Sequence, residues 1–203
     1  MDGRQWSGMA ADPVAGRHKI SGVMPVDCFD QCFAIVVGSE GGYTDNPADP
    51  GNWTGGHVRR GRCSGTKFGI SAAAYPDLDI LGLSEATAKA IYHKDFWAMI
   101  CGDDLPPVLA LLVFDAAINS GVHRAITWLQ ASVQVTIDGV IGPATLTAIT
   151  AVTNRTDGGM TVCADFLAKR LLFMASLPTW GLFGDGWSRR LFRLPYQSMT
   201  LTT

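Results

Sequence analysis

A surplus of positive charge is the first thing missing from this chain of 203 residues. Lys and Arg number 16 against 18 Asp and Glu, for a formal charge of −2. The basic footprint by which nucleic-acid binders hold phosphate is therefore absent. Long apolar runs are missing too. The longest unbroken one, Val108 to Phe114, falls far short of the roughly 20 residues that a membrane-spanning helix needs. Cysteine is sparse and irregular: five residues, at 28, 32, 63, 101 and 163. An odd number without regular spacing does not make a disulfide framework. There is no CxxC and no Cys/His cluster at zinc spacing. The histidines (His18, His57, His93, His123) are isolated, and HExxH, the mark of a zinc peptidase, does not occur. The N-terminus, MDGRQWSGMAADPVAGRHKISGVMP, has no apolar centre of the kind a secretory signal needs. The expectation is synthesis in the cytoplasm, with any action outside it depending on another agent for release.

What is present fits one folded domain. Hydrophobic residues make up 47% and charged residues 17%, so the chain can bury a core. Residues 1–25 are polar, Gly-rich and aperiodic, and read as a flexible arm. Beyond them, apolar spacing favours helices. Asp27 is placed to cap a helix carrying Phe29, Phe33, Val36 and Val37, ending at Glu40-Gly41-Gly42. The pattern lapses from Tyr43 to Ile70, a stretch crowded with turn residues. So long a segment is expected to form a small irregular β-rich lobe. Helices resume with Ser84 as a cap, then after Pro106-Pro107 up to Gly121, across His123–Val135, from Pro143, across 160–177, and briefly from Trp187 to Leu194. Trp97 and Trp128 sit at core spacing.

Candidate chemistry gathers around Glu40. A carboxyl where an apolar helix gives way to a Gly-rich loop, when half-buried, has a raised pKa. A general acid needs that to keep its proton near neutrality. The plain alternative is a solvated residue at a helix end. Asp45 and Asp49 follow in the loop, and Asp49 is nine positions from Glu40. Two carboxyls flanking a glycosidic bond are the working parts of most glycosidases. An Asp before Pro is equally a turn former. Tyr43 either lines a sugar cleft or packs on the helix end. Asn119 either binds an N-acetyl or hydroxyl group or helps Gly121 end its helix.

The run EGGYTDNPADPG…GTKFGIS resembles the EGGY…DPGG…GI signature of the family 108 glycoside hydrolases, N-acetylmuramidases known as phage endolysins and bacterial wall hydrolases. AIYHKDFWAMICGDDLPPVLALLVFDAAINSG is similar to that family's Tyr/Trp helix and its FD-x-A-x-NSG helix. TIDGVIGPATLTAI resembles the start of the family's C-terminal peptidoglycan domain, and FGDGWSRRLFRL its closing GW-x-x-R element. These segments keep the family's order across about residues 28–194.

The resemblance implies a mainly α, lysozyme-like fold, with a helical body and a small irregular β/loop lobe forming a cleft. It implies a catalytic region over 26–105 and a helical peptidoglycan-binding region over 106–203, packed as one unit. Glu40 carries over as the general acid and Asp49 as the group that orients or activates water. The family's Thr maps to Thr66, displaced here by an insertion, NWTGGHVRRGRCSG. The insertion's Arg59, Arg60 and Arg62 either touch anionic wall or form a solvated loop. Tyr43 and Asn119 are the expected substrate contacts, and no metal or organic cofactor is called for. The implied substrate is bacterial peptidoglycan, cut at the β-1,4 bond between N-acetylmuramic acid and N-acetylglucosamine. The enzyme would act on the wall in the periplasm after release, with a holin-type release partner if it is an endolysin. A secreted antibacterial effector restrained by an inhibitor or immunity protein is the alternative role. Two other classes compete: a non-catalytic wall-binding module, and a Cys–His peptidase using Cys63.

Overall fold

The computed structural model describes residues 28–38, 42–155, 157 and 159–201. Seven α-helices dominate: Cys28–Val36 (α1), Glu85–Tyr92 (α2), Pro107–Ser120 (α3), Val122–Ser132 (α4), Pro143–Thr153 (α5), Met160–Ala175 (α6) and Trp180–Ser198 (α7). Two short strands, Thr66–Lys67 (β1) and Ile70–Ser71 (β2), pair antiparallel. This is the mainly α arrangement expected from the sequence, a helical body beside a small irregular lobe. No helix among the described residues is long and apolar enough to cross a membrane.

The body is organised by α3. Residues Leu109 to Ala117 are buried without a break, and a helix apolar on every side must be wrapped by others. α1, α4, α6 and α7 all pack against it. Phe114 of α3 meets Phe29, Tyr92 and Trp97 edge-on, at ring-centre distances of 5.4–6.4 Å. Trp97, expected in the core, is fully buried and donates its indole N–H to Asp103 at 2.9 Å. Trp128 is half-buried against Phe166 and Phe173.

Helix boundaries follow local chemistry. The Ser84 hydroxyl accepts the Thr87 amide at 3.1 Å and starts α2. Pro107 and Pro143 occupy first-turn positions, where a missing N–H costs nothing. Gly121, at φ 91°, ends α3. α1 stops at Val36, earlier than Glu40, because Gly38 takes a left-handed φ of 74°. α7 is much longer than the expected 187–194. Its glycines are poor helix formers, but packing overrides propensity: Trp187 stacks with Trp180 and Phe183. Gly184 lies beneath Trp180, where an added Cβ would sit 2.8 Å from the indole. The expected arm over 1–25 and the Asp27 cap lie outside the described residues.

Candidate active site

Residues 42–83 form the lobe, and backbone pairing is thin there. β1 and β2 turn through Phe68 and Gly69, both at positive φ (51° and 74°), as a two-residue hairpin requires. Thr44 and Thr66 exchange backbone hydrogen bonds at 2.9 and 2.8 Å. The Tyr92 hydroxyl reaches from the body to the Phe68 carbonyl at 3.0 Å. Cβ-less Gly69 makes room for that hydroxyl.

Asn52 holds the lobe together. It is fully buried, so its polar atoms need partners. Its Oδ1 accepts the Thr66 hydroxyl at 2.7 Å, and its Nδ2 donates to the Asn46 carbonyl at 3.1 Å. Its backbone N–H donates to the Asp49 carbonyl, and its own carbonyl accepts the Ser64 and Gly65 amides at 2.9 and 3.1 Å. The inserted residues consequently fold as a side hairpin whose base Asn52 closes. Trp53 bridges Cys63, and the Thr54 amide donates to the Arg62 carbonyl. Thr66 is thereby returned to the Asp49 turn despite the added length. Arg59 and Arg60 lie exposed toward the hairpin's outer end, and Arg62 is exposed nearer its base.

Asp49 serves its turn with one carboxylate oxygen. Oδ1 accepts the Gly51 amide at 2.8 Å and caps the short 3-10 turn Pro50–Asn52. Its Oδ2 has no hydrogen-bond partner among the described residues, and the residue is exposed. Thr66 gives its hydroxyl hydrogen to Asn52, which leaves its oxygen to act as an acceptor. Glu40, the expected acid, lies outside the described residues. The segment before it is anchored: Val36, the last residue of α1, has its carbonyl 3.4 Å from Arg190 Nη2.

Tyr43 packs its ring on Gly65, where a Cβ would come within 2.5 Å of it. Its hydroxyl donates to the Ser64 carbonyl at 3.3 Å. Desolvation, followed by the charges of Asp45, Cys63 and Asp79, pushes the phenol pKa upward. Tyr43 lines a groove of about 440 Å³ with Arg62, Ser64, Asp77, Asp79 and Leu81. Asn119 lies elsewhere. Its Nδ2 donates back to the Asp115 carbonyl at 2.8 Å, and it lines a second cavity of about 380 Å³ with Arg124, Arg170, Trp187 and Arg190. The two expected substrate contacts thus occupy different cavities with no lining residue in common. Cys63 donates to the Asp45 carbonyl at 3.4 Å.

Sequence reasoning passed over Asn52 and an ionic triad around a buried aspartate. Asp115, wholly buried in α3, accepts Arg190 Nε at 2.8 Å and meets Arg170 Nη1 at 2.5 Å. Asp115 Oδ2 and Arg170 Nη1 are held as an ion pair, and Arg170 Nε has no hydrogen-bond partner among the described residues. Burial lowers the Arg170 pKa, opposed by Asp115 and reinforced by Arg190. The signal was available: a lone acid in VLALLVFDAAI must be paired if the helix is central. The FD-x-A-x-NSG and GW-x-x-R elements meet at this triad.

The sequence model of the family described as glycosyl hydrolase 108 matches residues 33–121. Among solved structures, SagA of Brucella abortus is similar to this chain, with 31% identity and a TM-score of 0.68. The alignment covers 85% of this chain and 94% of that one. The chain belongs to the glycosyl hydrolase 108 family. It is accordingly a glycoside hydrolase. Among curated proteins none matches it. The glycosyl hydrolase 108 match runs from α1 through the lobe to Gly121. α6 and α7 lie beyond that match, yet they supply both arginines that neutralise its Asp115.

Proposed function

We propose that this glycoside hydrolase cleaves the β-1,4 bond between N-acetylmuramic acid and N-acetylglucosamine in peptidoglycan. Glu40 donates a proton to the glycosidic oxygen as the sugar carbon–oxygen bond breaks. Asp49 and Thr66 hold the attacking water. The observation that carries this reading is the Asn52 hub, which ties the Asp49 turn to the Thr66 hydroxyl across an insertion. The outward Asp49 oxygen and the Thr66 lone pair are both acceptors. A water that donates one hydrogen to each presents its own lone pair for attack. General acid catalysis supplies roughly 10²–10⁴-fold, and stabilisation of an oxocarbenium-like state with substrate distortion supplies more.

Residues 106–203 serve in this reading as the peptidoglycan-binding region, packed on the catalytic region 26–105. Their Asp138-Gly139-Val140 loop is fixed by buried Gln130, which donates to the Asp138 carboxylate and the Val140 carbonyl and accepts the Asp138 and Gly139 amides. Ile137 and Val140 are left exposed there. An endolysin acting after release by a membrane-disrupting partner is the role we assign. Mass spectrometry of digested walls tests the bond: products ending in reducing N-acetylmuramic acid are expected. Products ending in reducing N-acetylglucosamine, or peptide cleavage alone, overturn the reading.

A further inference from the structure

Among the described residues, the cavity beside Asn119 is lined by three arginines, Arg124, Arg170 and Arg190, and by no acid. Arg170 is only 1% exposed; its Nη1 is held by Asp115, yet its Nε lacks a hydrogen-bond partner among the described residues. Buried N–H groups of a charged side chain left unsatisfied are costly, and native structures rarely keep them. Asp115 provides a single negative charge for Arg170 and Arg190 together. Among the described residues the two guanidiniums share that one carboxylate, with Arg170 buried and Arg190 partly open to solvent. At the rim, Arg124 stacks its guanidinium 4.2 Å from the centre of the Phe173 ring and donates to the Ser120 carbonyl at 3.0 Å. That contact steadies the side chain while leaving other N–H groups of its fork for a ligand. Phe173, Met174, Leu177 and Trp187 supply apolar wall.

Guanidinium forks recognise planar two-oxygen anions, and apolar walls suit an alkyl stem carrying one. We infer that this cavity binds a carboxylate-bearing peptide, the stem attached to the muramyl sugar of the substrate. This rests on the peptidoglycan reading above and adds a subsite that reads the peptide and not the glycan. Its volume of about 380 Å³ holds a short peptide end and not a folded partner.

Titration calorimetry on the full chain decides it. N-acetylmuramyl-L-alanyl-D-isoglutamine contains no bond between two sugars, so binding is read without turnover. Binding is expected, and it weakens about tenfold or more when the carboxylate is amidated, the loss of one charge-assisted contact. Arg124→Gln, at an exposed position, is expected to weaken the carboxylate form by a similar factor and leave the amide unchanged. Equal binding of acid and amide, an unaffected Arg124→Gln variant, or binding of inorganic phosphate without the muramyl peptide overturns the inference. Cleavage of glycan stripped of peptide is measured beside it. If such glycan is cut but the muramyl peptide does not bind, this subsite fails and the hydrolase reading stands. If the peptide binds but no wall is cut, the reverse holds.

Discussion

The helical body and the loop lobe are built by opposite means. In the body, α3 is sealed on all sides by apolar contact, and its one acid is answered by two arginines brought from α6 and α7. The lobe buries Ile70, Ala72, Ile80 and Leu83 in the common core, but its turns are joined by a buried amide side chain, Asn52. A packed body resists change but offers few free polar groups. A hydrogen-bonded lobe keeps carboxylate and hydroxyl oxygens available for chemistry. It also absorbs an inserted hairpin, because only the hairpin's base must be fixed.

The largest effect expected on breaking this contrast is in the body. Asp115→Ala strands two arginines and is expected to cost about 3–5 kcal/mol in urea unfolding. A loss below about 1 kcal/mol would mean the triad is no keystone. Asn52→Ala is expected to cost less, about 1–3 kcal/mol, and to act locally. Hydrogen exchange at the Ser64 and Gly65 amides should quicken while α3 amides stay protected, and wall hydrolysis should fall. Uniform loss of protection across both regions would erase the distinction. Ser84→Ala, which removes the α2 cap, is expected to cost about 1 kcal/mol by thermal melting.

The smallest effect concerns pH. The hydrogen bond from Gln130, followed by that from the Val140 amide, lowers the Asp138 pKa in the folded chain. Its stabilising contribution is therefore complete above the ordinary carboxylate range and fades as pH falls through the lowered folded value. The urea midpoint of Asp138→Asn should accordingly drop less than that of the parent between about pH 5 and about pH 2. An identical drop in both proteins would remove Asp138 from the acid limb.

Much of the body was legible because helical periodicity and caps act locally. Ser84, Pro107, Gly121 and Pro143 mark ends where the structure has them. The length of α7 was hidden, since its glycines argue against a helix that only the Trp180–Trp187 stack and the packing against α3 and α6 secure. In the candidate site, motifs singled out Asp49 and Thr66 as candidates, but they gave no sign of Asn52, which links their two segments. Asn52 looks like one more turn residue in a loop rich in them, and only the fold shows it buried. Arg170 was equally silent: a charged residue on an amphipathic helix reads as solvated until α3 is found beneath it.

The most direct test of the account is the release of reducing ends from purified walls by Glu40→Gln, with circular dichroism confirming an unchanged fold. Loss of at least about 10²-fold, the lower bound of what a general acid supplies, is the predicted result. Release at close to the parent rate by a folded Glu40→Gln protein would contradict it.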